Sequence, residues 1–199
     1  MALAPDHARN ATRLEAALRE RNRLLAEPAD PDPSWLDAIE VQICEAGAMV
    51  AQARQIMTRR LDRTLEALPE SPFARPLLEY QPGGPIMHAE LARALKGNRP
   101  RDRAAQRTLI GPHRDELAVT MAGKNQPAAE CSTGEQKAML IAITLAHAAL
   151  AARGRPSLLL LDEVAAHLDP LRREALFERL RGGATQVWLT GTEPGPFAG

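Results

Sequence analysis

Hydrophobic positions in the first third of the chain recur every three or four residues, which is the spacing of one face of an α-helix. One such stripe runs from Pro5 to Ala26, and a longer one starts after Ser34, a residue type that often caps helices. The run Asp30-Pro31-Asp32-Pro33 separates them, because proline cannot continue a helix. The pattern predicts two helices that pack as an antiparallel hairpin.

The periodicity breaks between residues 69 and 107, where prolines and glycines interrupt the chain and only a short helix is predicted, from His88 to Lys96. From Thr108 onward short apolar runs alternate with helical stretches. Strands are predicted at 108–110, 117–121, 158–161 and 186–189, helices at about 134–152 and 170–180, and a turn at 122–125. Alternating strands and helices, with four consecutive leucines in one strand, favour an α/β fold with a covered, largely parallel sheet.

The break predicts two domains, a helical arm with its linker over residues 1–104 and an α/β part over residues 105–199. Hydrophobic residues make up 45% of the chain and aromatic residues only 3%, which is typical of a helix-rich protein. The formal net charge is zero, so any binding to nucleic acid depends on a local basic patch.

The chain shows neither a membrane-spanning apolar stretch nor a signal-peptide core. Its two cysteines, Cys44 and Cys131, have no metal-ligand spacing and indicate a reducing compartment. A cytoplasmic location without membrane contact is therefore expected.

Two acidic residues, Asp162 and Glu163, follow the leucine-rich strand directly. Ligands bind at this carboxyl edge in open α/β sheets. The first acid is placed to hold a magnesium ion bridging ATP phosphates, and the second to orient or deprotonate an attacking water. The alternative is that both acids only cap or solvate the turn that follows.

The segment Cys131 to Lys137 begins the helix before that strand. Ser132 and Glu135 have the spacing of a capping box, which accounts for the sequence without any ligand. The same geometry also forms an anion site, because the helix dipole and the free amides attract phosphate and Gly134 lets it approach closely. For this segment alone the capping box is the favoured interpretation.

Taken together, the helix start Ser132-Thr133-Gly134-Glu135-Gln136, the Asp162-Glu163 strand and Leu168-Asp169 follow the signature, Walker B and D-loop order of ABC-type ATPases. No Gly-x-x-x-x-Gly-Lys-Ser/Thr loop occurs in the sequence, and Gly123-Lys124-Asn125 fits a hairpin turn better. The chain is therefore expected to be a fragment whose phosphate loop lies outside it, and to be inert toward ATP alone.

The sequence resembles the RecF family of bacterial recombination and repair ATPases over nearly its whole length. The most specific segment is Thr108-Leu109-Ile110-Gly111-Pro112-His113-Arg114-Asp115-Glu116-Leu117. The other segments that carry the resemblance are 17–25, 131–137, 158–170 and 186–192.

The resemblance implies the C-terminal part of an ABC/SMC-like head with a helical arm. It also implies ATP and Mg²⁺ as cofactors, an ATP-dependent homodimer, slow ATP hydrolysis, DNA binding, and work with RecO and RecR at single-stranded gaps. By position, Asp162 resembles the magnesium-associated acid and Glu163 the catalytic base. The other residues expected to contact nucleotide are the signature residues, the D-loop acid and a residue in place of the transporter switch histidine: Ser132, Gly134, Gln136, Asp169 and Thr192.

Arg99, Arg101 and Arg103 form the densest basic stretch and are candidates for binding DNA phosphates. A solvated linker is the favoured alternative, because no aromatic residues that could stack on bases interleave with them. The sequence leaves the roles of His113 and Arg114 open. Two other functions also stay open: a non-catalytic interaction or scaffold module of an SMC-like head, and the ABC head of another system.

Overall fold

A computed structural model describes residues 5–68, 74–152, 154–164, 168–181 and 185–191. The chain forms two compact units. One comprises Met1–Thr58 and Tyr80–Leu117, and the other comprises Arg59–Glu79 and Ala118–Gly199. Compactness thus groups residues 80–117 with the first helices, whereas the arm at 1–104 and the head part at 105–199 stay a proposal about functional organisation.

Three helices build the first unit: α1 (His7–Ala26), α2 (Pro33–Glu66), whose last residues continue into the second unit, and α3 (His88–Ala105). The predicted helices are present, but α3 is longer than expected because it continues through Gly97 and Pro100. Ser34 is not the cap of α2. The Asp32 carboxylate accepts hydrogen bonds from the Ser34 amide at 2.8 Å and the Ser34 hydroxyl at 2.7 Å.

The core of the first unit is the shared apolar stripe of these helices. Burial of aliphatic side chains is the main force that holds such helices together. Its members come from all three: Leu14, Leu18 and Leu25 of α1, Ile39, Ile43 and Val50 of α2, and Leu91 and Leu95 of α3.

One buried arginine, Arg21 of α1, crosses this core with no exposed surface. Its guanidinium donates to Glu40 of α2 at 3.0 Å and to Asp102 of α3 at 2.6 Å. It also donates to the Thr108 hydroxyl at 2.8 Å and the Leu95 carbonyl at 3.2 Å. Four partners therefore satisfy the charge and the donors, as a buried guanidinium requires.

The strand predicted at residues 108–110 is absent, and this expectation was wrong. The backbone amide of Thr108 donates to the Asn22 side chain at 2.8 Å, and that of Leu109 donates to Asp102 at 3.1 Å. Side chains thus take the place of a neighbouring strand for these amides, so the segment needs no sheet.

Five strands occur in the described residues: β1 (Pro76–Gln81), β2 (Glu116–Met121), β3 (Gln126–Pro127), β4 (Ser157–Leu161) and β5 (Thr185–Leu189). β1, β2 and β3 form one sheet in that order, and β2 and β3 are antiparallel around the predicted turn at 122–125. β1 was not predicted. β4 and β5 pair in parallel, with Leu158 opposite Gln186 and Leu160 opposite Trp188.

Two helices accompany the parallel strands in the second unit, α4 (Thr133–Ala152) and α5 (Pro170–Arg181). Leu159, Leu161 and Val187 pack in the same core as Met139 of α4 and Leu176 of α5. The opposite face of the pair is bare among the described residues. Leu158, Leu160 and Trp188 are 58%, 69% and 62% exposed. The parallel α/β fold is thus confirmed, but within the part of the chain that the structure describes only one face of the pair is covered.

Among the described residues, none of the helices combines the length and the hydrophobicity that crossing a bilayer requires.

We expect Arg21→Met to lower the free energy of unfolding by about 3–5 kcal/mol, because it leaves the Asp102 carboxylate buried without its cation. Arg99 would still pair with Glu40, at 2.6 Å, so the loss centres on Asp102. Urea unfolding followed by far-UV circular dichroism measures the change. Arg19→Met is the matched control, since Arg19 pairs with Glu15 on the exposed surface of the same helix. Equal urea midpoints for the two variants would contradict a structural role for the buried network.

Candidate functional site

The ends of the two parallel strands bring Asp162 and Thr190 together. The Thr190 amide donates to the Leu161 carbonyl at 3.0 Å, which extends the pairing of β5 with β4 by one step. Its hydroxyl donates to the Asp162 carboxylate. The side chain of Asp162 is exposed at the carboxyl edge of the sheet and has a fixed direction.

Glu163 has an unusual backbone conformation, with φ at 53°. A residue with a Cβ atom pays about 1–2 kcal/mol in this left-handed region. The Lys137 ammonium donates to the Glu163 carbonyl at 2.9 Å and so fixes the peptide that follows. Strained residues of this kind cluster at functional sites, where neighbouring groups hold them.

The start of α4 is a closed capping arrangement around Glu135. One carboxylate oxygen accepts the Ser132 amide at 3.0 Å and the Ser132 hydroxyl at 2.9 Å, and the other accepts the Lys124 ammonium at 2.6 Å. The bond from Lys124, followed by those from Ser132, lowers the pKa of Glu135 to about 2. The capping box is therefore real, and it holds the Ser132 hydroxyl beside an ionised carboxylate.

Gly134 and Asp169 lie on either side of one arginine. A Cβ atom on Gly134 would lie 3.5 Å from the Arg172 guanidinium, and that guanidinium pairs with Asp169 at 3.2 Å. Asp169 also accepts the Arg172 amide at 2.9 Å and so caps α5. The candidate signature glycine and the candidate D-loop acid are thus close to the same cation.

Gln136 turns back on the chain that precedes it. Its side-chain amide donates to the Cys131 carbonyl at 3.0 Å and to the Ala129 carbonyl at 3.4 Å. The amide thereby holds the residues before α4 in place. Thr192, the candidate phosphate sensor, lies outside the described residues.

The three candidate DNA-binding arginines differ in their surroundings within the first unit. Arg99 pairs with Glu40 at 2.6 Å and Asp37 at 2.5 Å. Arg103 donates to three carbonyls of residues 27–29 and pairs with Asp30 at 3.2 Å. Arg101 is exposed, whereas Arg99 and Arg103 are partly buried.

The segment Gly111 to Asp115 is a rigid turn in the first unit. Asp115 accepts Arg54 at 3.0 Å, the Tyr80 hydroxyl at 2.7 Å and the Gly83 amide at 2.9 Å. The His113 ring donates to the Thr108 carbonyl at 2.9 Å, and burial lowers its pKa. Arg114 is exposed on this turn. The motif therefore has a structural role through its aspartate and histidine.

The sequence alone predicts no role for four side chains of the site, which are those of Lys124, Lys137, Arg172 and Thr190. In the sequence, Lys124 belongs to the predicted hairpin turn, and Lys137 is the last residue of the segment Cys131 to Lys137. Thr190 directly follows the strand predicted at 186–189, and this position at a strand end was the available signal for its contact with Asp162. These four residues and their partners all lie in the second unit.

A family model described as "AAA domain, putative AbiEii toxin, Type IV TA system" matches residues 57–190. Among curated proteins, the chain is 42% identical to the DNA replication and repair protein RecF of Rhizobium etli and 45% identical to that of Brucella abortus. Each match covers 99% of this chain and 55% of the relative. The chain thus spans about half the length of these relatives.

Solved structures show the same fold. The structure described as the recombination mediator protein RecF-ATP in the RecFOR pathway matches with a TM-score of 0.76 over 96% of this chain and 55% of that chain, at 18% identity. A second structure, with ATPrS in place of ATP, matches equally well. The RecF-like resemblance predicted from the motifs is therefore confirmed, and the chain belongs to the family described as AAA domain, putative AbiEii toxin, Type IV TA system.

Proposed function

We propose that this chain supplies half of an ATPase head in a DNA repair and recombination protein, with Asp162 and Glu163 as its hydrolytic acids. The observation that carries the proposal is the paired placement of these acids at the carboxyl edge of β4. The Thr190 hydroxyl donates to the Asp162 carboxylate, and the Lys137 ammonium donates to the backbone carbonyl of Glu163. The repair context follows from the RecF relatives and the ATP-bound RecF structure.

This edge of the sheet offers one carboxylate, that of Asp162, as a ligand for Mg²⁺. Magnesium in nucleotide sites is usually held by one or two carboxylates together with substrate phosphates and water. Asp162 is an exposed carboxylate of the right kind, and no cluster of three ligating side chains occurs among the described residues. When bound with ATP, the ion would neutralise charge on the phosphates, while Glu163 would accept a proton from the attacking water.

ATP binding requires a phosphate loop, and the 199 residues contain no such motif. We propose that a further segment of the protein carries it. The bare apolar face of β4 and β5 supports this view, because parallel sheets are normally covered on both faces. Leu158, Leu160 and Trp188 would then be buried by the segment that brings the phosphate loop.

Ser132, Gly134 and Gln136 are proposed to act on the nucleotide of a second copy, as in ABC-type heads. The start of α4 offers free amides and the positive end of a helix dipole to a phosphate. Glu135 is a carboxylate in this otherwise cationic place, and its pairing with Lys124 at 2.6 Å offsets that charge. We further propose that the full-length protein is cytoplasmic, binds DNA and forms an ATP-dependent homodimer. It would work with RecO-type and RecR-type mediators.

A scaffold module without hydrolysis is the second candidate. One observation favours it: the phosphate loop is missing from this sequence. It predicts partner binding that is indifferent to Glu163, so substitution of that residue separates the two functions.

We expect Glu163→Gln to reduce ATP turnover at least roughly 100-fold, because the amide cannot accept the proton of the attacking water. The measurement uses the full-length protein that contains this chain, or this chain joined to the phosphate-loop segment of a RecF relative. The Michaelis constant for ATP should stay close to that of the parent, since Gln keeps the size of the side chain.

Glu178→Gln is the matched control, because Glu178 is an exposed glutamate on α5 in the same unit. It should turn over ATP at the parental rate. Parental turnover in the Glu163→Gln variant would exclude Glu163 as the base.

The isolated chain is expected to show no measurable affinity for ATP and to release no phosphate, since no loop is available to hold the triphosphate. Isothermal titration with Mg-ATP measures binding, and a phosphate-release assay measures turnover. Saturable binding with hydrolysis by the 199 residues alone would show that the head is complete without a further segment.

For DNA, we expect Arg101→Ala to reduce the salt dependence of binding by about one unit in the logarithmic slope, because one phosphate contact is lost. Affinity measured over a series of salt concentrations gives the slope. Arg19→Ala is the control, since Arg19 is exposed but pairs with Glu15 on α1. An unchanged slope for Arg101→Ala would exclude Arg101 from the DNA interface. Arg99 is unsuitable for this test, because its loss would also unpair Glu40 and Asp37.

A further inference from the structure

Lys137 is the single lysine or arginine in the sequence of α4, and it contacts the backbone of the proposed catalytic base. Its ammonium lies 2.9 Å from the Glu163 carbonyl oxygen, and the lysine is half-buried. We infer that Lys137 is a positioning residue: it holds Glu163 in its left-handed conformation and so sets the direction of the catalytic carboxylate.

The geometry explains why a donor is needed at this carbonyl. A left-handed residue turns its peptide so that the carbonyl leaves the ladder of the preceding strand, and the direction of its Cβ atom turns with it. Glu163 adopts φ 53°, which a residue with a Cβ rarely does without support. The bond from Lys137 supplies that support to the carbonyl oxygen. Without it, Glu163 relaxes toward an ordinary conformation and its carboxylate leaves the place from which it reaches water.

Lys137 also connects two parts of the site. It lies on α4 close after Ser132 and Gly134, so the helix that would contact a partner's nucleotide also holds the acid of its own head. A shift of α4 when the signature engages would move the Glu163 carbonyl through this bond. The inference rests on the proposed function, because it assumes that Glu163 acts on water.

The test is a kinetic comparison in the full-length ATPase that contains these residues. Lys137→Met should lower kcat roughly 10- to 100-fold, the loss expected when a catalytic group is misplaced, and leave the Michaelis constant for ATP unchanged. Lys137→Arg should recover most of the rate, since its guanidinium can still donate to the carbonyl. Arg155→Met is the matched control, because Arg155 is an exposed cation of the same unit that precedes β4, and it should leave kcat unchanged.

A double variant distinguishes positioning from a general structural effect. In the Glu163→Gln background, Lys137→Met should cause no further loss, because the carboxylate that it positions is already gone. Thermal unfolding checks that each variant folds. Should Lys137→Met fail to fold, the same comparison is made with Lys137→Gln, which keeps a polar side chain but is too short and uncharged to hold the carbonyl in the same way.

The outcomes separate the two ideas. No turnover by the parent, or full turnover by Glu163→Gln, overturns the proposed function. A large loss with Glu163→Gln but parental kcat in both neutral Lys137 variants overturns the positioning role alone. Additive losses in the double variant also overturn it, since Lys137 would then act by a route that does not pass through Glu163.

Discussion

The buried guanidinium of Arg21 is the constraint around which the first unit is arranged. Apolar burial alone would let α1, α2 and α3 slide along their leucine stripes, because aliphatic contacts have little direction. Hydrogen bonds to Glu40, Asp102 and Thr108 have direction, and the two carboxylates among these partners compensate the buried charge. Burial of one arginine therefore fixes the register of three helices and the path of the chain after α3.

In the second unit, direction comes from strand ends rather than from a buried charge. β4 and β5 run in parallel, so their carboxyl ends meet at the same edge, and Thr190 reaches Asp162 for that reason. The capped start of α4 contributes Lys137, and the capped start of α5 contributes Asp169 and Arg172. The polar groups of the site are therefore ordered by the strand ends together with residues of the first turns of two helices.

Much of this arrangement could be predicted from the sequence, because helix periodicity, the leucine strand and the motif spacing are local properties. α1, α2, α4, β4 and the hairpin turn follow from such patterns. The extent of α3 could not be predicted, because Gly97 and Pro100 are local signals to stop, which the buried ion pair of Asp102 with Arg21 outweighs. Contacts of Lys124 and Lys137 depend on residues 11 and 26 positions away, and no local pattern carries that information.

The uncovered face of β4 and β5 has a consequence for the thermodynamics of the second unit. Three large apolar side chains in water favour association with whatever apolar surface is available, which lowers the solubility of the chain by itself. A cover that binds only the folded strands would stabilise them by mass action. The free energy of folding of this unit then depends both on these residues and on the concentration or linkage of the surface that covers them.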